Sequence, residues 1–169
     1  KSKKLCDLNL TEFAQTTASE SPAPGGGSIS AYIGALGGAL VTMVANLSSH
    51  KRGWDQKWNI FSKIAEEGQI YITNLLELVD KDTVAFNEII NSFRLPDNTT
   101  EEKKIKKQAI LNATINAIQV PLKIMEYSEK SMDIIKKMAQ NGNPNSVSDA
   151  GVAALCARSA VIGGYLNVK

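Results

Sequence analysis

The sequence contains few of the residues that build metal centres and disulfide frameworks. Its 169 residues include one histidine, His50, and two cysteines, Cys6 and Cys156. The cysteines lie near opposite ends of the chain and form no C-x-x-C pair, and a zinc motif or a Ser-His-Asp triad would depend on His50 alone. The basic start of the chain is not followed by an apolar secretory run. We therefore expect no metal centre, no disulfide framework and a cytoplasmic location.

The chain has no large excess of positive or negative charge, and aromatic side chains are scarce. Lys and Arg number 19 against 17 Asp and Glu, a formal net charge of +2, and aromatic residues make up 6% of the chain. This balance gives little attraction for a polyanion, and so few rings do not suggest a base-stacking surface. Both observations argue against a nucleic-acid-binding protein. The length and the apolar fraction of 43% predict one globular domain over residues 1–169.

One long apolar run is present. No formally charged residue occurs between Glu20 and Lys51, and residues 28–47 approach the length of a membrane span of about 20 residues. The run is rich in Ala and Gly and includes Ser and Thr, which favours a buried central helix over a span. Small residues recur every three or four positions and predict a tight helix pair or a dimer seam. They are Ala31, Gly34, Ala35, Gly38 and Ala39.

Apolar residues with helical periodicity predict long helices after this run. An amphipathic pattern from Lys57 predicts one helix that ends before Pro96, and an interruption of this helix near Asp80 is left open. Thr99, followed three residues later by Glu102, is a capping-box signature for the next helix. Two polar joints therefore separate three long helical segments.

The last part of the chain predicts one more helix. Pro121 should kink the helix that begins after Thr99, because proline removes one amide donor, and the run N-G-N-P-N at 141–145 should end it. Ser146 or Ser148 would cap the following helix. No segment alternates with a period of two. The sequence therefore predicts an all-α, up-and-down helical bundle with long kinked helices.

The most informative loop is S-P-A-P-G-G-G-S at 21–28, just before the apolar run. Its three glycines would expose backbone amides without side chains in the way, so the loop could hold an anion or a carbonyl group. It is not a P-loop, because no Lys-Ser or Lys-Thr follows the last glycine, and no strand precedes it as in a dinucleotide-binding motif. A flexible entry loop is the alternative.

Two acidic sites also stand out. Asp80 and Asp82 interrupt an apolar helical face, where aspartate has poor helix propensity. Asp82 could be present because it makes a specific contact. For Asp80, the favoured explanation is an ion pair with a lysine on the solvent side of the helix. Asp149 follows Asn143 and Ser148 at a break between helices, where it could do no more than favour the helix macrodipole.

Together these motifs resemble a known family. Residues from about Thr11 to Val168 contain, in order, S-P-A-P-G-G-G-S, L-V-D-x-D-x-x-A-F, R-L-P, V-P-L, G-N-x-x-S-x-S-D-x-G-V-A-A-L and Y-L-N-V. Their order and spacing are similar to those of the formiminotetrahydrofolate cyclodeaminase and methenyltetrahydrofolate cyclohydrolase family. The resemblance implies an all-helical homodimer that binds a tetrahydrofolate derivative as substrate, with no tightly bound cofactor, no nucleic acid and no membrane. It also implies a further C-terminal helix, missing from this chain.

The resemblance further implies a reaction and its residues. The bridge nitrogen of 5-formiminotetrahydrofolate would attack the amidine carbon, ammonia would leave, and the 5,10-methenyl cation would remain. The implied catalytic carboxylates are Asp82, which would stabilise the cation, and Asp149. Lys51 or Arg52 is assigned to the glutamate tail by charge alone. The implied substrate-binding residues are Pro24, Gly25, Gly26, Gly27, Ser28, Lys51, Asn143, Ser148 and Asn167.

Two alternative functions remain open. A methenyltetrahydrofolate cyclohydrolase would treat the same cation with water, and a non-catalytic helical bundle would only bind folate. Animal bifunctional members of the family have a proposed proton-accepting histidine where counting back from Asp80 places Gln69 in this chain. His50 does not match that position and is expected at the surface or in a cap. A general base would then be a carboxylate or water.

Overall fold

The computed structural model describes residues 4–169, and Lys1 and Lys3 of the basic start lie outside this part. Within it there is no β-strand, which agrees with the predicted all-α class. Short 3-10 turns lie at Leu5–Asp7, Asp55–Lys57 and Pro144–Ser146. The α-helices are α1 (Leu10–Thr17), α2 (Gly26–Ser49), α3 (Trp58–Phe93), α4 (Thr100–Asn141) and α5 (Val147–Val168).

The four long helices form an up-and-down bundle. Both α3 and α5 run antiparallel to α2 and pack beside it, and α4 runs parallel to α2 and closes the bundle on the opposite side. Close approaches at glycines show these directions. The pairs are Gly27 with Asp82 and Gly38 with Ile72 for α3, Gly37 with Cys156 and Gly26 with Asn167 for α5, and Gly34 with Ser128 and Gly142 with Val44 for α4. The predicted bundle is therefore confirmed.

The central helix is α2, as its charge-free sequence predicts. More than half of its 24 residues are buried, because α3, α4 and α5 all pack against it. Gly34 and Gly38 lie in these contacts, whereas Ala39 is exposed. By length and composition alone, α2 and the segment Pro144–Val168 could each cross a membrane. The position of α2 inside the bundle is that of a core helix.

Gly34→Ala is expected to destabilise the fold, although alanine is normally the better helix residue. A Cβ at position 34 would lie 2.8 Å from Ser128 Oγ and 3.2 Å from Ala160 Cβ. We expect the free energy of unfolding to fall by about 1–3 kcal/mol in a denaturant titration, because the core has no room for the methyl group. Ser128→Ala removes the nearest atom, an Oγ that is buried with no hydrogen-bond partner in residues 4–169. A double variant that recovered none of the loss would contradict this packing.

The helix boundaries agree with most sequence signals. Glu102 N donates to Thr99 Oγ1 at 3.1 Å, and Thr99 N donates to the Glu102 carboxylate at 2.9 Å, so the capping box starts α4 as predicted. The helix α3 continues through Asp80 without a break. Pro121 lies inside α4 without ending it. Local signals thus define where the long helices begin and end.

Two helix starts differ from the sequence analysis. Ser146 occupies the N-cap position of α5, but its hydroxyl makes no capping hydrogen bond. Its backbone (φ −115°, ψ 15°) is outside the extended conformation that directs an N-cap hydroxyl toward the first amides. Ser148 lies within the first turn and is no cap. The helix α1 was not predicted, although Asn9 and Glu12 form a capping box that the N-x-x-E spacing signals.

Candidate functional site

The glycine turn and Asp82 meet at the N-terminus of α2. Gly25 is the N-cap residue, which makes Ser28 the third helical residue. The Ser28 N–H and hydroxyl both donate hydrogen bonds to Asp82 Oδ2, each at 2.8 Å. Ser28 is fully buried, and Asp82 is half-buried on α3. One oxygen of the carboxylate is therefore fixed by the start of another helix.

Gly27 is required for this close contact. A Cβ at position 27 would overlap Asp82 Oδ1, so any larger residue would displace the carboxylate. On the other side of the turn, the Asn167 side chain from the end of α5 lies 3.2 Å from where a Gly26 Cβ would be. Pro24, just before the turn, is buried. We call these residues the glycine-turn cluster: Pro24, Gly25, Gly26, Gly27, Ser28, Asp82 and Asn167.

The glycine-turn cluster combines a carboxylate with free backbone amides. Within residues 4–169 the N–H groups of Gly26 and Gly27 have no acceptor, as is usual in the first turn of a helix. The Ser28 N–H is taken by Asp82 and Gly27 is buried, so the exposed Gly26 offers its amide to a ligand. The cluster can therefore hold an acceptor group next to a developing positive charge. The same contacts cap α2, which is a structural role for Asp82.

Lys51 and Asn143 lie near the other end of α2. Asn143 N donates to Ser48 Oγ at 2.8 Å, which ties the α4–α5 connection to α2. Lys51 Nζ donates to Asn143 Oδ1 at 3.4 Å and lies 4.3 Å from the centre of the Trp54 ring. Lys51 is thus held beside an aromatic face as well as an amide.

Ser148 and Asp149 lie in the first turn of α5. Ser148 is exposed and Asp149 half-buried, and within the described chain the Asp149 carboxylate has neither a hydrogen bond nor an ion pair. We call Lys51, Asn143, Ser148 and Asp149 the α5-start cluster. From Ser28 to Ser48, α2 rises by about 30 Å, at 1.5 Å per residue. One protomer therefore brings Asp82 to the glycine turn but leaves the α5-start cluster at the opposite end of the bundle.

A groove between α2 and α3 was not anticipated from the sequence. Its volume is about 640 Å³. Thr42, Asn46 and His50 line it from α2, and Gln69 lines it from α3. The spacing of four residues from Thr42 to His50 was an available signal, because such residues share one helix face. The apolar lining consists of Ala39, Met43, Leu47 and Ile72.

His50 is the C-cap residue of α2 and is exposed, as expected of a surface or cap residue. Its Nδ1 lies 2.9 Å from the Asn46 carbonyl oxygen and 3.0 Å from Ser49 Oγ. The Ser49 hydroxyl itself donates to the same carbonyl at 2.8 Å. Because a carbonyl oxygen only accepts, these partners assign the proton of the neutral ring to Nδ1. Nε2 is then the proton-accepting nitrogen.

Asp80 on α3 contacts the N-terminal segment, which contains Cys6. Leu5 N donates to Asp80 Oδ1 at 2.7 Å, so a backbone amide takes the place of the expected lysine. The Cys6 thiol donates to the Leu76 carbonyl at 3.3 Å, and burial together with Asp80 raises its pKa to about 11. Cys6 and Cys156 are both free. Within residues 4–169, no three His, Cys, Asp or Glu side chains are grouped as metal ligands.

Exposed apolar stripes run along the outer sides of α2 and α5, which pack beside each other. Each stripe has the spacing i, i+7, i+11, which keeps side chains on one side of a helix. Contiguous apolar surface of this kind is typical of a protein interface. We call it the α2/α5 face: Leu36, Met43 and Leu47 on α2, and Leu155, Ile162 and Leu166 on α5.

Known proteins share this sequence pattern. The model of the family described as formiminotransferase-cyclodeaminase matches residues 9–169. A formimidoyltransferase-cyclodeaminase from Rattus norvegicus is 33% identical over 166 residues, which are 98% of this chain and 31% of that protein. A methenyltetrahydrofolate cyclohydrolase from Methylorubrum extorquens is 35% identical over 164 residues, 95% of this chain and 79% of that protein. The chain thus spans less than a third of the rat protein.

A solved structure shares the fold. The crystal structure of formiminotetrahydrofolate cyclodeaminase from Thermotoga maritima matches with a TM-score of 0.83 and 28% identity, over 95% of this chain and 76% of that chain. The family match covers the glycine-turn cluster and the α5-start cluster alike. It confirms the resemblance that the ordered motifs indicated. The chain therefore belongs to the formiminotransferase-cyclodeaminase family.

Proposed function

We propose that this protein is a formiminotetrahydrofolate cyclodeaminase, an ammonia-lyase that converts 5-formiminotetrahydrofolate to 5,10-methenyltetrahydrofolate. The observation that carries the proposal is the Asp82 carboxylate fixed at the glycine turn, in a chain with a relative and a structural neighbour named as cyclodeaminases. Both reacting atoms belong to one substrate molecule. The protein therefore accelerates the reaction chiefly by fixing the conformer in which the bridge nitrogen reaches the amidine carbon.

Asp82 would stabilise the charge that forms as ammonia leaves. The product is a cation delocalised over two nitrogens and the carbon between them. Ser28 fixes Oδ2, and within the described residues no hydrogen bond to Oδ1 occurs, so the carboxylate is already oriented before the charge develops. The free amide of the exposed Gly26 would bind a carbonyl or carboxylate oxygen of the substrate beside it.

The α5-start cluster would bind the polar edge of the pterin. That edge carries both donors and acceptors, and the cluster offers both. The Asp149 carboxylate accepts no hydrogen bond in its own protomer, and the Asn143 side chain keeps its NH2 donors while its oxygen accepts from Lys51. Lys51 would meet the glutamate tail through its charge.

A second protomer would bring the two clusters together. When two copies of α2 pack antiparallel, the glycine turn of one protomer lies beside the end of α2 in the other, where the α5-start cluster is located. A two-fold symmetric pair then contains two complete sites. We therefore propose a homodimer whose sites are composite, with Asp82 from one protomer and Asp149 from the other.

The α2/α5 face is the surface we assign to this dimer. Its stripes are continuous along the two helices that lead to the clusters, and their side chains are between 38% and 66% exposed in the protomer. Association would remove this apolar surface from water, which is favourable. Leu36 lies near the middle of α2 and is therefore the residue of the stripe closest to a two-fold axis in the antiparallel arrangement.

A methenyltetrahydrofolate cyclohydrolase is the second candidate function. The Methylorubrum extorquens relative of that name is 35% identical, and the match covers 79% of its length. Both reactions involve the same methenyl cation, and they differ in whether ammonia leaves or water attacks. A carboxylate that stabilises the cation would serve either one.

The assay is to incubate the purified protein with each substrate separately. Ammonia release and methenyl formation from 5-formiminotetrahydrofolate are expected, with little hydrolysis of 5,10-methenyltetrahydrofolate. Hydrolysis of the methenyl compound without ammonia release would replace the proposal by the cyclohydrolase function. Binding of a tetrahydrofolate in calorimetry without turnover of either substrate would leave only the non-catalytic bundle.

A further inference from the structure

We propose that His50, in the groove between α2 and α3, is the proton acceptor for the cyclisation. This inference rests on the proposed cyclodeaminase function and adds a catalytic residue to it. The groove is open to solvent, and its volume of about 640 Å³ lies within the range of about 300–1,000 Å³ that is common for small-molecule sites. His50 contributes the one ionisable side chain among the residues that line it.

The lining of the groove fits a flat ring system with a polar edge. Ala39 and Ile72, which are not part of the α2/α5 face, provide apolar contact area. Asn46 and Gln69 carry amide groups that both donate and accept hydrogen bonds. This combination of an apolar surface and a few polar groups is usual in cofactor and substrate sites. It places an imidazole next to the expected position of a nitrogen-rich substrate.

The ring of His50 is held in the form that a base requires. The Asn46 carbonyl and the Ser49 oxygen both accept from Nδ1–H, which leaves the lone pair of Nε2 free. Hydrogen bonding of one ring nitrogen to a carbonyl is a common way to fix the tautomer of a functional histidine. Lys51 and Arg52, the charged residues that follow in the chain, are not among the residues that line the groove.

The proton balance of the reaction needs such a group. The substrate enters with its amidine protonated, and attack of the bridge nitrogen on the amidine carbon forms one C–N bond. Nε2 removes the proton from that bridge nitrogen and returns it to the exocyclic NH2 group. The exocyclic C–N bond then breaks, ammonia leaves, and the methenyl cation keeps the positive charge. The imidazole ends neutral and ready for the next turnover.

The composite dimer brings this base to the carboxylate. His50 follows the last residue of α2, and Asp82 lies at the first turn of α2. Because the glycine turn and His50 mark opposite ends of α2, an antiparallel pair of α2 helices would bring His50 of one protomer near the glycine turn of the other. Each site would then contain one proton acceptor and one charge-stabilising carboxylate, from different chains.

The test moves the imidazole from one wall of the groove to the other. His50→Gln should lower kcat for ammonia release by about 10²-fold or more, with a much smaller change in KM. The double variant His50→Gln with Gln69→His restores a histidine to the groove and should recover at least about tenfold of this loss. A matched control, His50→Gln with Gln140→His on exposed α4 surface, should recover none.

Chemical rescue gives a second readout. Free imidazole should restore turnover to His50→Ala in a concentration-dependent way and leave the wild-type rate unchanged. If His50→Gln keeps the wild-type kcat, or if neither Gln69→His nor imidazole restores the lost activity, the proton-acceptor role is wrong even though the cyclodeaminase function stands. If the wild type releases no ammonia from the formimino substrate, the proposed function fails and this role fails with it.

Discussion

Asp82→Asn is expected to lower kcat for ammonia release by about 10²-fold or more while the helical circular dichroism spectrum stays unchanged. Asparagine has nearly the same shape and can still accept the hydrogen bonds from Ser28, but it carries no charge to stabilise the methenyl cation. The measurement is steady-state ammonia release, with kcat and KM determined separately. A wild-type kcat would remove Asp82 from the mechanism.

A matched control separates this effect from a general loss of charge on α3. Asp80→Asn changes the neighbouring carboxylate, which accepts from Leu5 N and lies outside the glycine-turn cluster. Its kcat is expected to stay within about twofold of wild type.

A second effect of Asp82→Asn, the weaker cap on α2, should lower the free energy of unfolding by about 1 kcal/mol. That loss is too small to unfold the protein, so a large fall in kcat reports on chemistry.

Leu36→Glu is expected to produce monomers and to abolish most of the activity. Leu36 is 43% exposed on the α2 stripe, so a charge there is tolerated in the free protomer but would be buried in an antiparallel α2 contact. Sedimentation should show dissociation, and ammonia release should fall by about 10²-fold, because each site needs residues from both protomers. Circular dichroism should show an intact fold.

The control for Leu36→Glu is Ile60→Glu. Ile60 is 60% exposed and lies beside Lys137 and Asn141, on the side of the bundle formed by α3 and α4. This variant should remain dimeric and active, since the same change is made away from the proposed contact. A Leu36→Glu protein that stays dimeric with full activity would show that α2 is not the interface.

The architecture could be predicted because its signals are local. The capping box at Thr99 and Glu102 involves residues three positions apart, and the absence of charged residues from the run of α2 indicates a largely buried helix. Helix lengths and antiparallel connections then leave an up-and-down bundle as the natural arrangement. Where the local geometry differed, as at Ser146, the cause was a preceding 3-10 turn that the sequence pattern does not specify.

The site could be predicted only in part because its contacts are long-range. The contact of Ser28 with Asp82 joins two helices 54 positions apart, and the glycines alone indicated no more than exposed amides. The separation of Asp82 from Asp149 depends on the length of α2 and on which end of the bundle each helix start reaches. Family motifs list such residues in order along the chain, and they do not say which protomer supplies each one.

The groove that contains His50 could also not be predicted from the sequence. The four-residue spacing of Thr42, Asn46 and His50 predicts a shared face, but two of the eight residues that line the groove, Gln69 and Ile72, come from α3. The orientation of the imidazole depends on the carbonyl of Asn46 in the last turn of α2, which also accepts from the His50 backbone N–H and the Ser49 hydroxyl. Neither feature is visible without the packed helices.

Composite sites can be tested directly with a mixed dimer. Asp82→Asn and Asp149→Asn proteins with different affinity tags are co-expressed, and the heterodimer is isolated by two successive purifications. Each homodimeric variant should be nearly inactive, whereas the heterodimer should have about half of the wild-type rate, because one of its two sites contains both carboxylates and the other contains neither. A heterodimer as inactive as its parents would place both carboxylates in sites within single protomers and would contradict this account.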